Sequence, residues 1–385
     1  MIPFYKPTYV GTELQYIKYA IKNFKTLNKK YFIKQCEQWM EHHFKCKKIL
    51  LTPSCSASLE MAAILINIKP GDEVIMPSFT FPSTANAFAL RGAKIIFIDI
   101  KPDTMNIDED KIEFAITKNT RAIVPVHYAG IACNMDKIVK IAKKYQLFVI
   151  EDAAQAVMAL YNNAALGTFG DIGCYSFHET KNYTSGGEGG AILINNSDLI
   201  NKAEIIREKG TNRNKFLLKQ TDKYTWINIG SNYSMSELQA AYLWAQLQQI
   251  KQINNVRLNL WNNYYQLFYK ISKIHNITIP NVPQYSTHNA HTFYIKFNDI
   301  KTRIQFHEYL KIHQITATAH YVALHSSKAG KIFSTFHGKD IYTTKNSNLL
   351  TRLPLFYNLT LKEQKYIIKK ITLFFDRHIN KQIIL

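Results

Sequence analysis

Acidic residues are scarce: 28 aspartates and glutamates stand against 48 lysines and arginines, a formal charge of +20. Such an excess of base raises the question of a polyanionic partner. The cations, Lys18, Lys22, Lys29, Lys45, Lys143 and Lys251 among them, are spread along the chain and form no long block. No nucleic-acid motif accompanies them, so the expected reading is a lysine-rich solvated surface without a nucleic-acid partner. Cysteine is also sparse. Cys36, Cys46, Cys55, Cys133 and Cys174 are odd in number and include no CxxC pair, which argues against a disulfide framework or a zinc signature. No apolar run is long enough to span a bilayer. The opening Met1-Ile2-Pro3-Phe4-Tyr5-Lys6-Pro7 is mixed and broken by prolines, not a basic stub followed by an apolar stretch. A cytoplasmic protein without membrane insertion is expected. Internal repeats and low-complexity linkers are absent as well.

What is present is ample core material: 46% of the residues are hydrophobic, and 385 residues suggest two domains. Short apolar runs alternate with helical stretches. Lys48–Thr52, Glu73–Met76, Lys94–Asp99, Ala122–Val126 and Leu147–Glu151 read as strands; Ser56–Ile66, Ser83–Leu90 and Met135–Tyr145 read as helices. Cys174–Phe177 and Ala191–Ile194 add two strands around a glycine turn. This pattern predicts an α/β layer on a mostly parallel sheet. A long helical stretch is expected from Ser236 to about Ser272. Beyond it lie a strand near Thr292–Lys296 and helices near Ile304–His313 and Lys362–Phe375. The domain boundary is expected at about residue 250, giving a large unit over 1–250 and a smaller α/β unit over 251–385.

Ligands of open parallel sheets gather outside the carboxyl ends of the strands. Asp152 follows such a strand, in Glu151-Asp152-Ala153-Ala154-Gln155. It is either a helix cap or a carboxylate able to pair with a protonated ring nitrogen. Lys181, in Ser176-Phe177-His178-Glu179-Thr180-Lys181-Asn182, precedes a glycine-rich turn and is either a solvated loop lysine or an amine reaching into a pocket. The order and spacing of Asp152, Ser176 and Lys181 suit pyridoxal 5'-phosphate (PLP) chemistry. The lysine bonds the cofactor aldehyde, the acid keeps the pyridine nitrogen protonated, and hydroxyls and amides at a helix start hold the phosphate.

The sequence resembles the DegT/DnrJ/StrS family of PLP-dependent sugar aminotransferases over nearly its whole length. The segments that carry the resemblance run from Leu51 to Met61, Pro77 to Phe81, Pro125 to Gly130, Glu151 to Gln155, Ser176 to Asn182, Lys209 to Arg213, Tyr224 to Trp226 and Met235 to Ala241. The resemblance implies a fold type I transferase whose homodimer shares active sites between subunits, with tetramers left open. Position by position it makes Lys181 the Schiff-base lysine, Asp152 the pyridinium partner and Gln155 the contact to the ring hydroxyl. Phe81 becomes the aromatic that stacks on the ring, for which core packing is the alternative. Cys55 and Ser56 become the phosphate turn, with Ser176 adding a hydroxyl, and Asn232 reaches the phosphate of the neighbouring subunit's cofactor. The implied donor is L-glutamate and the implied acceptor a dTDP-linked 4-keto-6-deoxy sugar destined for surface polysaccharide.

Two features depart from the family. Cys55 stands where many members have glycine, although the resembling subgroup accepts cysteine. Leu27-Asn28-Lys29-Lys30-Tyr31-Phe32 carries two lysines and no glycine where relatives often have a glycine-rich loop. His127, His178, His291, His320 and His325 are candidates to line a sugar-nucleotide site or to serve structure. A sugar dehydratase on the same fold carries histidine in place of the lysine, which Lys181 argues against. A binding or regulatory protein without turnover is the reading from another class.

Overall fold

The computed structural model describes residues 1–23, 30–217 and 219–382. Its centre is an eight-stranded sheet in the order Lys48–Thr52, Gly190–Ile194, Ile172–Ser176, Phe148–Asp152, Thr120–Ile123, Glu73–Pro77, Lys94–Ile98 and Ser334–Phe336. Gly190–Ile194 runs antiparallel to both its neighbours, and every other pairing is parallel. The expectation of a mostly parallel sheet therefore holds.

The continuous apolar runs have a simple cause. Alternate residues of each strand feed two different cores. Ile49, Leu51, Ile75, Ile123 and Val149 enter one, while Leu50, Val74, Met76, Ala122 and Ile150 enter the other. A strand buried on both faces cannot show polar alternation. Helices Cys55–Leu65, Pro82–Ala89 and Met135–Tyr145 follow their strands closely, each within a residue or so of its expected bounds.

The long helical stretch is two helices, Glu237–Gln248 and Ile250–Ile274. A capping box between Ser236 and Gln239 starts the first. Gln249 leaves helical geometry between them, and Leu247 and Ile250 on its two sides are both buried in the first core. Further along, Leu260, Trp261, Tyr264 and Phe268 enter a third core, shared with Phe293, Ile295, Phe306 and Ile371. That core lies on a three-stranded antiparallel sheet of Ile277–Thr278, Phe293–Phe297 and Leu350–Leu353.

Two segments join the N- and C-terminal halves of the chain. Ser334–Phe336 adds a parallel edge strand beside Ile95–Phe97. Ile2 exchanges backbone hydrogen bonds with Gln314 and Thr316, at 2.7 and 3.0 Å, so the N-terminal residues lie along the C-terminal half. All five cysteines are free thiols. Among the described residues, no helix is long and apolar enough to cross a membrane.

Candidate active site

At the carboxyl ends of the parallel strands lies a cavity of about 440 Å³. Lys181, Cys55, Ser56, Phe81, Asp152, Gln155 and Ser176 all line it. Asn232 does not. It sits exposed on a loop, in an isolated bridge with Glu208.

The turn expected to hold a phosphate is built from backbone. Ser54 caps helix Cys55–Leu65, accepting the Ala57 amide at 3.1 Å, so the amides of Cys55 and Ser56 at the helix start are left without helical acceptors. Gly190 lies directly beneath: a Cβ there would come within 2.5 Å of the Cys55 nitrogen. Ser56 donates to Ser83 Oγ at 2.7 Å, placing a second hydroxyl beside the first. Cys55 is the first helical residue and needs no left-handed backbone, which accounts for the tolerance of a side chain there. Burial, then the charge of Asp152, pushes its thiol pKa well up, so it stays neutral beside an anion.

Asp152, at the end of its strand, is 5% exposed. Thr84 donates to Oδ2 at 2.6 Å and the Ala154 amide to Oδ1 at 3.1 Å. Each oxygen keeps room for another donor. The cap reading and the charged reading are thus compatible. Lys181 is half-buried, and among the described residues its amine has no hydrogen-bond or ion-pair partner. Burial lowers its pKa below the ordinary lysine value, against the opposing charges of Cys55 and Asp152.

Gln155 Oε1 accepts the Ala129 amide at 2.7 Å, and Nε2 donates to Tyr321 Oη at 2.8 Å. Phe81 is 58% exposed and faces Tyr321 with ring centroids 6.4 Å apart. It is therefore not core packing. Ser176 is buried, its Oγ 3.4 Å from the His178 amide.

His127, His178, His291 and His320 line the cavity. His325 is not among the lining residues, and pairs instead with Ser78 and Asp340. His127 is wholly buried. Its Nδ1 accepts the Cys133 amide at 3.2 Å, so Nε2 carries the proton and donates to Glu151 at 3.0 Å. That makes His127 a structural ring. Burial holds His291 and His320 neutral, their pKa values well below 6.5.

Thr84, Ser83, Ser54 and Arg352 escaped the sequence reading. Thr84 and Ser83 lie in an unremarkable Pro-Ser-Thr helix start. Arg352 arrives from a strand 171 positions beyond Lys181, with no local signal to mark it. Of the Leu27–Phe32 stretch, 27–29 lie outside the described residues. Lys30 pairs with the buried Glu208, a structural use of that charge.

The cavity thus brings together a lysine amine, a buried carboxylate and a helix start in an α/β fold. The chain belongs to the DegT/DnrJ/EryC1/StrS aminotransferase family, whose model matches residues 8–372. It is 31% identical over 300 residues to the spore coat polysaccharide biosynthesis protein SpsC of Bacillus subtilis, covering 76% of each chain. GDP-perosamine synthase of Caulobacter vibrioides is 36% identical over 252 residues, 65% of each chain. Among solved structures, NtdA of Bacillus subtilis with bound cofactor PMP superposes with a TM-score of 0.84 at 28% identity, over 95% of this chain and 83% of that one.

Proposed function

We propose that the protein is a PLP-dependent nucleotide-sugar aminotransferase. In this reading it moves the amino group of L-glutamate to the 4-keto carbon of dTDP-4-dehydro-6-deoxy-D-glucose. The product is dTDP-4-amino-4,6-dideoxy-D-galactose, for surface polysaccharide. The observation that carries the reading is the unpartnered Lys181 amine sharing one cavity with Asp152 and the Cys55–Ser56 helix start. The sugar and the galacto outcome rest on resemblance to dTDP-4-amino-4,6-dideoxygalactose transaminase; the names of SpsC and GDP-perosamine synthase support the sugar class.

The donor set suits the cofactor. Free amides and paired hydroxyls meet a phosphate, the Gly190 close approach keeps that turn tight, and the Asp152 oxygens have capacity for a ring N–H. When bound, PLP supplies an aldehyde that exchanges amines and a ring that takes up negative charge. Asp152 holds a proton on the ring nitrogen. Gln155, fixed by Ala129 and Tyr321, would offer its second amide hydrogen to the ring hydroxyl, and Phe81 would cover the ring. Lys181 takes the proton from the donor's α-carbon and returns one to sugar C4. Its depressed pKa favours the free base that this task needs. Asn232, exposed and outside its own cavity, suits a phosphate contact in a second subunit of a homodimer. The boundary near residue 250 is part of the same proposal.

Incubation with dTDP-4-keto-6-deoxyglucose and glutamate, followed by NMR of the amino sugar, tests substrate and stereochemistry together. An axial 4-amino group is expected. An equatorial one would refute the galacto outcome, and no amino sugar would refute the acceptor.

A further inference from the structure

Lys181 and Arg352 are the two cationic side chains lining the cavity, apart from its histidines. The first has its task, and the second has no assigned one. Arg352 enters from strand Leu350–Leu353, on the wall formed with Leu353, Leu355 and His291. Its guanidinium carbon lies 4.4 Å from the Phe4 ring centroid, and Nη2 donates to Ala319 O at 3.2 Å. Nε is shielded from water and has no hydrogen-bond partner.

Among the described residues, no acid lining the cavity pairs with this charge. Asp152 is engaged by Thr84 and Ala154, and Glu188 faces His178 at 3.5 Å. The groups around Arg352 are the phenols of Tyr128 and Tyr321 and the neutral rings of His291 and His320. Arginine keeps its charge in proteins, and an enclosed charge calls for a partner. A planar fork with free N–H donors matches a carboxylate.

We propose that Arg352 receives the α-carboxylate of the amino donor. The assignment rests on the aminotransferase reading. That carboxylate is one bond from the carbon whose proton Lys181 removes, so its receptor must lie beside Lys181. Arg352 meets this condition in lining the same cavity of about 440 Å³ as Lys181. The diphosphate of a nucleotide-sugar sits on C1, across the pyranose ring from the reacting C4, and so calls for a receptor farther away. Phe4 and Ala319 hold the guanidinium in place.

The test uses the full-length, PLP-loaded protein and its Arg352→Gln variant. The glutamate concentration that half-bleaches the visible cofactor band should rise about 30-fold or more on losing a charged hydrogen-bond pair. Glutarate, which lacks the amine and cannot react, should perturb the wild-type band and lose that effect in the variant. The reverse half, pyridoxamine-loaded protein with dTDP-4-keto-6-deoxyglucose, should keep its half-saturating concentration within about threefold, because no donor carboxylate takes part. Arg352→Lys keeps the charge and guards against misfolding; it should still show a several-fold loss for glutamate alone. An unchanged glutamate response in Arg352→Gln overturns the assignment and leaves the aminotransferase reading intact. Equal weakening of both halves overturns it too. A wild-type band indifferent to glutamate overturns both.

Discussion

Thr84 donates its hydroxyl proton to Asp152 Oδ2 over 2.6 Å, and Thr80 stands 2.8 Å behind it. This short chain of hydroxyls fixes the orientation of a buried carboxylate. Thr84→Val should slow the glutamate half-reaction about tenfold, the scale of one hydrogen bond to a charged group. Asp152→Asn should slow it at least about 100-fold, since an amide cannot keep the ring nitrogen protonated. Stopped-flow absorbance reads both. Near-normal rates in Asp152→Asn would contradict the role given to the carboxylate.

Gly190 supports the phosphate turn by having no side chain. A methyl group at 190 would press on the Ser54–Cys55 peptide at about 2.5 Å. Gly190→Ala should weaken PLP binding at least about tenfold and cost roughly 1–3 kcal/mol of stability through overpacking. Cofactor titration followed by absorbance, with thermal melting alongside, checks it. Unchanged cofactor affinity would mean that the turn relaxes freely.

Glu151 is the buried centre behind the site. Oε1 accepts the amides of Phe169 and Gly170, both at 2.7 Å, and Oε2 accepts the Gly167 amide at 2.7 Å and His127 at 3.0 Å. Glu151→Gln must therefore turn its NH₂ towards two N–H donors, whichever way it flips. His127 cannot relieve this by changing tautomer, because its Nδ1 already accepts from Cys133. A loss of about 2–4 kcal/mol is expected, read from the melting temperature. A neutral outcome would contradict the deduced tautomer.

Burial pushes His288 and His307 down to about 4. Their unfolded value is near 6.5, so the unfolded chain binds more protons between the two values. The stability from keeping these rings neutral is present above pH 6.5 and is lost as pH falls towards 4. His307 shares a 2.8 Å hydrogen bond with Thr351. His307→Gln should flatten the drop in melting temperature between pH 7 and pH 5. An equally steep drop would assign the acid sensitivity elsewhere.

The strands of the main sheet were legible because burial on both faces leaves unbroken apolar runs such as Ile95–Ile98 and Leu147–Ile150. The edge strand Ser334–Phe336 was not, since Ser334 and Phe336 are only partly buried, Thr335 is exposed, and the segment carries no such run. The division of the long helical stretch at Gln249 was hidden for a related reason: helical periodicity continues across it, with Leu247 and Ile250 in one core, and only the backbone of Gln249 reveals the break. In the site, Asp152 and Lys181 could be picked out because the first ends a strand and the second lies five residues past one. Arg352 and Thr84 could not, because tertiary packing alone brings them there.

The central claim is that the Lys181 amine bonds the cofactor. Borohydride reduction of the PLP-loaded protein, followed by peptide mass spectrometry, tests it most directly. The account predicts a reduced phosphopyridoxyl group on Lys181 and a protein unlabelled at that site in Lys181→Ala, with turnover lost by at least about 1,000-fold. A label on another lysine, or an active Lys181→Ala protein, would contradict it.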